Sequence, residues 1–143
     1  MSISIGKFCV IDDSALIGGG SFIGDFIDIR KNVVIGERCT LICHNILSQG
    51  TILGDKVFLA PGVIILGRDS DNKRSCTKIG DNVFIGAGSI VSAGVEIGAG
   101  TKIGALSFVD KDCAPYSFYY GQPAKFVRKI IPSDLGLERG ISG

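Results

Sequence analysis

The chain has 143 residues, with 15 basic against 14 acidic side chains and a formal net charge of +1. Charges of both signs are interleaved, so there is no broad electrostatic footprint for nucleic acid. Glycine and polar residues interrupt every apolar run before it reaches the roughly 18 to 20 residues of a membrane span, and the length fits one domain.

From Met1-Ser2-Ile3-Ser4-Ile5 onward the chain enters a repeat at once, which leaves no room for a signal peptide and predicts a cytoplasmic protein. An aliphatic residue recurs every sixth position: Ile5, Ile11, Ile17, Ile23, Ile29, Ile35, Leu41, Leu47, Leu53, Leu59, Ile65, then Ile79, Ile85, Val91, Ile97, Ile103 and Val109. Glycine often follows it, as in Gly6, Gly18, Gly24, Gly36, Gly54, Gly80, Gly86, Gly98 and Gly104. Three residues after that comes a small or β-branched side chain such as Cys9, Ser21, Val33, Val57, Ser89 or Thr101. Helical spacings of three and four are absent, and 21 glycines argue further against helices. Short strands separated by tight turns fit the pattern, with glycine expected to relieve a strained backbone there. Three strands per coil would make a triangular prism whose coils stack by parallel pairing about 4.8 Å apart. The predicted repeat domain covers residues 3–114.

Ile65 to Ile79 breaks the period, and the intervening polar segment 67–78 reads as a loop thrown out from a prism corner. Binding groups concentrate on loops held by rigid scaffolds, so substrate contacts are expected there. Of the five cysteines, Cys9, Cys39 and Cys113 fall on the small inward position, where a thiol behaves as a compact hydrophobe. No C-x-x-C pair exists and the chain has one histidine, so neither a metal site nor a disulfide framework is expected. After Val109 the repeat gives way to an aromatic cluster, Tyr116, Phe118, Tyr119, Tyr120 and Phe126. Residues 115–131 are predicted to cap the open end of the solenoid, and 132–143 to form a loose tail.

The pattern [Ile/Leu/Val]-Gly-x-x-[small]-x resembles the hexapeptide repeat of left-handed parallel β-helix proteins, and the resemblance supplies the left hand, since parallel crossovers are generally right-handed. Ala105-Leu106-Ser107-Phe108-Val109-Asp110-Lys111-Asp112 with Tyr120-Gly121-Gln122-Pro123-Ala124-Lys125 is similar to the closing motif of hexapeptide acyltransferases, among them the serine, maltose and galactoside O-acetyltransferases. The likeness runs over about residues 5 to 130. It implies acetyl-CoA as donor, its pantetheine arm held by backbone groups near Ala87 and Ala105, and its phosphates met by Lys111, Lys125 and Arg128. It also implies a homotrimer with active sites between prisms and a small acceptor, expected to be a carbohydrate. Asp110 stands where a hydroxyl residue is common in those relatives.

Acetyl transfer to a hydroxyl needs a general base, and near neutral pH histidine suits it. The loop histidine of the maltose and galactoside type falls on Ser70, and that of the sialic-acid type near Gln49. The segment from Asp28 to His44 resembles the Asp…His segment of serine acetyltransferases. Their histidine falls on Cys43, one residue earlier, and their second on Cys76. With coils of eighteen residues, Asp28 should stack beneath Ile46 and lie within side-chain reach of His44, the backbones being roughly 8 Å apart. His44 is therefore the candidate base and Asp28 its orienting carboxylate. Asn45, polar at an interior position, is expected to hydrogen-bond within the prism. The reading is an acetyl-CoA-dependent O-acetyltransferase. The alternatives are an N-acetyltransferase on an amino sugar, including a nucleotide-linked one, and a non-catalytic hexapeptide assembly protein. A carbonic-anhydrase-type site would need three histidines around a metal.

Overall fold

A computed structural model describes residues 1–131 of the chain; the expected tail, 132–143, lies outside the described residues. Two-residue strands alternate with tight turns, and all coil-to-coil pairing is parallel. They stack into a β-solenoid of about six turns with the left-handed β-helix architecture. The first face holds eight strands, from Ser4–Ile5 to the terminal pair Ser117–Gly121 and Ala124–Lys129. The second holds six, from Val10–Ile11 to Phe108–Val109, and the third five, from Leu16–Ile17 to Glu96–Ile97. Among the described residues no helix is long and apolar enough to cross a membrane.

From Ile23 onward the interior is the predicted one, while in the first coil, at the open end, Ile5 is exposed and Ile11 and Ile17 are partly buried. Ile23, Ile29, Leu41, Leu47, Leu59, Ile65, Ile85 and Ile103 are fully buried in a continuous column, with Val33, Cys39, Val57 and Val63 at the small positions between them. Polar residues at small positions are satisfied by carbonyls of the next coil: Ser21 Oγ donates to Gly36 O at 3.1 Å and Cys39 Sγ to Gly54 O at 3.1 Å. Asn45, wholly buried, donates Nδ2 to Ala60 O at 2.9 Å, while its Oδ1 has no partner.

The glycine after each aliphatic residue does something other than expected. Left-handed backbone occurs two positions later, at Phe8, Phe26, Asn32, Arg38, His44, Lys56, Asn82 and Leu106, and at Gly20, Gly50, Gly62, Gly88, Gly94 and Gly100. The glycines at the earlier position have ordinary dihedrals and exist because the next coil lies against them. A Cβ on Gly24 would overlap the carbonyl oxygen of Ile42, and one on Gly18 the backbone of Gly36.

Eight extra residues lengthen the fourth coil: Val34 pairs with Ile52 eighteen residues on, but Ile52 pairs with Lys78, twenty-six on. The insertion leaves the prism after the second face and folds back on itself. Arg68 and Arg74 form an antiparallel bridge, Ser75 N donates to Gly67 O at 3.0 Å, and Asp69 Oδ1 accepts the N–H groups of Asp71 and Lys73, each at 2.9 Å. At the other end, the strand Ser117–Gly121 adds to the first face and turns back through Ala124–Lys129. Tyr119 and Ala124 pack on the end of the apolar column, with Phe126 edge-on to Tyr119 at 5.8 Å.

Candidate functional site

The turn between the first and second faces recurs in every coil, so its residues form one edge of the prism. Each turn is tied to the coil before it: Phe26 N to Lys7 O, His44 N to Asp25 O, Gly62 N to Cys43 O, Gly88 N to Pro61 O, and Leu106 N to Ala87 O. Reading up the edge gives Phe8, Phe26, His44, Gly62, Gly88 and Leu106. The first three rings stack, Phe8 on Phe26 at 5.1 Å and Phe26 on His44 at 4.9 Å between centroids. Gly62 follows, so nothing at that level continues the stack over the imidazole. His44 is exposed, and neither ring nitrogen has a hydrogen-bond partner among the described residues.

Ala87 and Ala105 stand on this same edge, two and three coils above His44, or roughly 10 and 14 Å along the prism axis. Both are exposed. At three other turns the N–H at this position is held by a carboxylate from the next coil: Lys7 N, on this same edge, by Asp25, and on another edge Glu37 N by Asp55 and Asp55 N by Asp81, each at 2.8 Å. Ala87 has Ala105 as its neighbour in place of an acid, and the N–H groups of both alanines have no partner among the described residues. The edge from Gly62 to Ala105 is thus a low strip with open backbone donors.

Lys125 lies near the end of that strip. Its strand pairs with Ser117–Gly121, Lys125 opposite Tyr120, and the Tyr120 ring covers Gly104 beside Ala105. Gln122 Nε2 donates to Leu106 O, fixing the turn there. The structure does not bring every expected residue to this edge. Lys111 belongs to the next one, a face away after Phe108–Val109. The Arg128 guanidinium sits 5.9 Å from the centroid of the Phe118 ring.

Asp28 pairs in register with Ile46, as the eighteen-residue coil requires. Its carboxylate nevertheless meets Arg30 and not His44: Arg30 Nε donates to Oδ1 and Nη2 to Oδ2, both at 2.7 Å. Arg30 directly follows the strand Asp28–Ile29, two residues from Asp28, a spacing that favours a bidentate pair. His44 instead leaves the turn in left-handed backbone and lies flat on Phe26.

A second concavity lies where the second face meets the inserted hairpin, a cleft of about 510 Å³. Arg30, Lys31, Arg68 and Arg74 line it with Ser48 and Gln49. Sequence reasoning assigned binding to the hairpin but missed Arg30 and Lys31 as its opposite wall. The signal was available: two eighteen-residue steps from Arg30 arrive at Leu66, the base of the insertion.

Two family models match the chain, a hexapeptide repeat of succinyl-transferase over residues 27–66 and the bacterial transferase hexapeptide (six repeats) over residues 76–111. The bifunctional protein GlmU of Acetivibrio thermocellus is 29% identical over 137 residues, which is 96% of this chain and 28% of that protein. GlmU of Xanthomonas campestris is 32% identical over 127 residues, 88% of this chain and 27% of that protein. The chain therefore spans about a quarter of the length of these relatives. Among solved structures, PerB from Caulobacter crescentus, in complex with CoA and GDP-perosamine, superposes with a TM-score of 0.77 at 25% identity, over 87% of this chain and 58% of PerB. AntD, an N-acyltransferase from Bacillus cereus, shares the fold with a TM-score of 0.66 at 21% identity, over 96% of this chain and 89% of AntD.

Proposed function

We propose that this chain, which belongs to the hexapeptide-repeat acyltransferase superfamily, moves an acetyl group from acetyl-CoA to an amino or hydroxyl group of a sugar. The observation that carries this reading is the prism edge on which an exposed imidazole stands in line with the open N–H groups of Ala87 and Ala105. A pantetheine arm is an extended chain with amide carbonyls, and it can lie along such an edge and accept from those donors. Lys125, near the end of the strip, offers a cation to the CoA phosphates. Lys111 and Arg128 complete the proposed phosphate contacts from the neighbouring edge and from over Phe118.

His44 is the proposed base. As the acceptor atom bonds to the thioester carbonyl carbon, its proton passes to a ring nitrogen of His44. As the carbon–sulfur bond breaks, His44 returns that proton to the departing sulfur. Such help is worth roughly 10² to 10⁴ in rate. Asp28 enters this proposal through Arg30, whose guanidinium it orients. The likeness to PerB, which is bound to CoA and GDP-perosamine, supports a sugar as the acceptor.

One prism has flat faces, so we place the working site between copies of a homotrimer. Val10 and Phe108 on the second face are exposed apolar residues suited to burial against another copy. Light scattering checks the mass, and a monomer that still transfers acetyl groups would refute the shared site. The reading as a whole is tested by calorimetry with acetyl-CoA: binding supports the enzyme, and no binding at millimolar acetyl-CoA leaves the assembly-module reading in its place.

A further inference from the structure

We infer that the cleft beneath the inserted hairpin is a phosphate-binding subsite, and that the acceptor is a phosphate-bearing sugar held there by Arg30, Lys31, Arg68 and Arg74. The identification of its occupant as the acceptor rests on the acyl-transfer reading above.

The cleft spans four coils, with Asp12 from the first. Arg30 and Lys31 come from the second, Ser48 and Gln49 from the third, and Arg68 and Arg74 from the hairpin that leaves the fourth. Four cations and one carboxylate, Asp12, line the cleft, and with Asp28 counted as the partner of Arg30 two positive charges are left in excess. Even those two acids are committed. Asp28 is bidentate to Arg30, and Asp12 accepts both the N–H and the hydroxyl of Ser14. Lys31, Arg68 and Arg74 have no carboxylate within 4.0 Å among the described residues.

The hairpin strengthens the case. Arg68 and Arg74 are bridge partners on antiparallel strands, so two like charges stand directly opposite each other, an arrangement that destabilises a strand pair. The hairpin carries two acids, Asp69 and Asp71, neither within 4.0 Å of a cation among the described residues, and Asp69 gives its Oδ1 to the N–H groups of its own turn. Arg68 donates to Asn72 O through Nη1 alone, and Arg30, held through Nε and Nη2, has Nη1 to spare. An anion between the two walls would turn the repulsion into charge-assisted pairing, and guanidinium forks match the oxygens of a phosphate. Ser48 and Gln49, between the walls, are neutral hydrogen-bonding groups suited to the rest of a polar ligand. His44 belongs to the other border of the second face and to the same coil as Ser48 and Gln49, so a ligand seated by its phosphate in the cleft extends along that face toward the imidazole.

Acetyl-CoA also carries phosphates, and the experiment must separate the two sources. Uridine diphosphate, inorganic pyrophosphate and acetyl-CoA are each titrated calorimetrically into the full chain, into Arg68→Ala/Arg74→Ala and into Lys31→Ala, with melting curves to confirm folding. The expected result is that uridine diphosphate and pyrophosphate bind the parent chain, more weakly as salt rises. The double variant should lose at least tenfold in affinity for both and Lys31→Ala about threefold or more, with acetyl-CoA affinity unchanged within twofold. No binding of either probe to the parent, or unaltered binding to the folded variants, would overturn the subsite. An equal loss of acetyl-CoA affinity would overturn it as an acceptor site and give the cleft to the donor. Failure of the parent chain to bind acetyl-CoA would refute the acyl-transfer reading while the phosphate titrations still judge the cleft.

Discussion

Two glycines on the same edge, Gly24 and Gly62, should respond unequally to substitution, and for different reasons. Gly24 has no positive φ, so alanine there carries no dihedral penalty, but its Cβ would overlap the Ile42 carbonyl oxygen and lie 3.1 Å from that of Leu41. Both obstacles are backbone in the next coil and cannot rotate away. The cost is that of overpacking a well-filled site, at least about 2 to 3 kcal/mol. Gly62 has φ +75°, and a Cβ there meets nothing closer than Gly88 N at 3.8 Å. Its cost is the left-handed penalty alone, about 1 kcal/mol for alanine. Phe8, Phe26 and His44 already bear that penalty on this edge. Urea titration at fixed protein concentration, comparing midpoints at equal slope, reads the difference. A midpoint lowered more by Gly62→Ala than by Gly24→Ala would refute the assignment of the two glycines to packing and to dihedral freedom. The same geometry makes Gly62→Phe informative. A phenyl ring there should continue the Phe8–Phe26–His44 stack and cover the imidazole, so the chain should fold while turnover falls by a hundredfold or more.

His44→Ala should lower kcat by at least about a hundredfold with acetyl-CoA affinity little changed, as expected for loss of a general base; near-normal turnover would move the reading to an amine that attacks already deprotonated. Asp28→Asn should raise KM for the acceptor more than it lowers kcat and should leave the pH profile in place, because the carboxylate holds Arg30 and not the imidazole. A shifted profile in steady-state kinetics would restore a direct Asp28–His44 link. Burial pushes the Cys113 thiol up to about 12, with Asp112 adding to the shift, and burial raises Cys39 in the same direction. Mass spectrometry after brief alkylation at pH 8 should therefore find exposed Cys76 modified well before either. The unfolded chain releases these protons nearer pH 9 than the folded one does, so stability should fall as pH rises above 9. The slope is at most about 1.4 kcal/mol per pH unit for each thiol, read from urea midpoints.

The six-residue period was enough to define the strands, the three faces, the buried column and the point where the hairpin leaves, because in a solenoid each residue's neighbours lie a fixed number of positions away. The same arithmetic sets Asp28 beneath Ile46, and the two pair in register. Periodicity says which backbone lies beside which, but not where a side chain turns. Asp28 had His44 within plausible reach and chose Arg30, two residues along the chain, where both carboxylate oxygens could be satisfied at once. The glycine positions were legible while their reason was not, since an overlap with the Ile42 carbonyl exists only once the coils are stacked. The open N–H groups of Ala87 and Ala105 likewise depend on the absence of an acid one coil away, and the cationic cleft on a hairpin folding back toward Arg30 and Lys31. What repeats along the chain can be read from the chain; what depends on one side chain choosing among several neighbours was decided only in three dimensions.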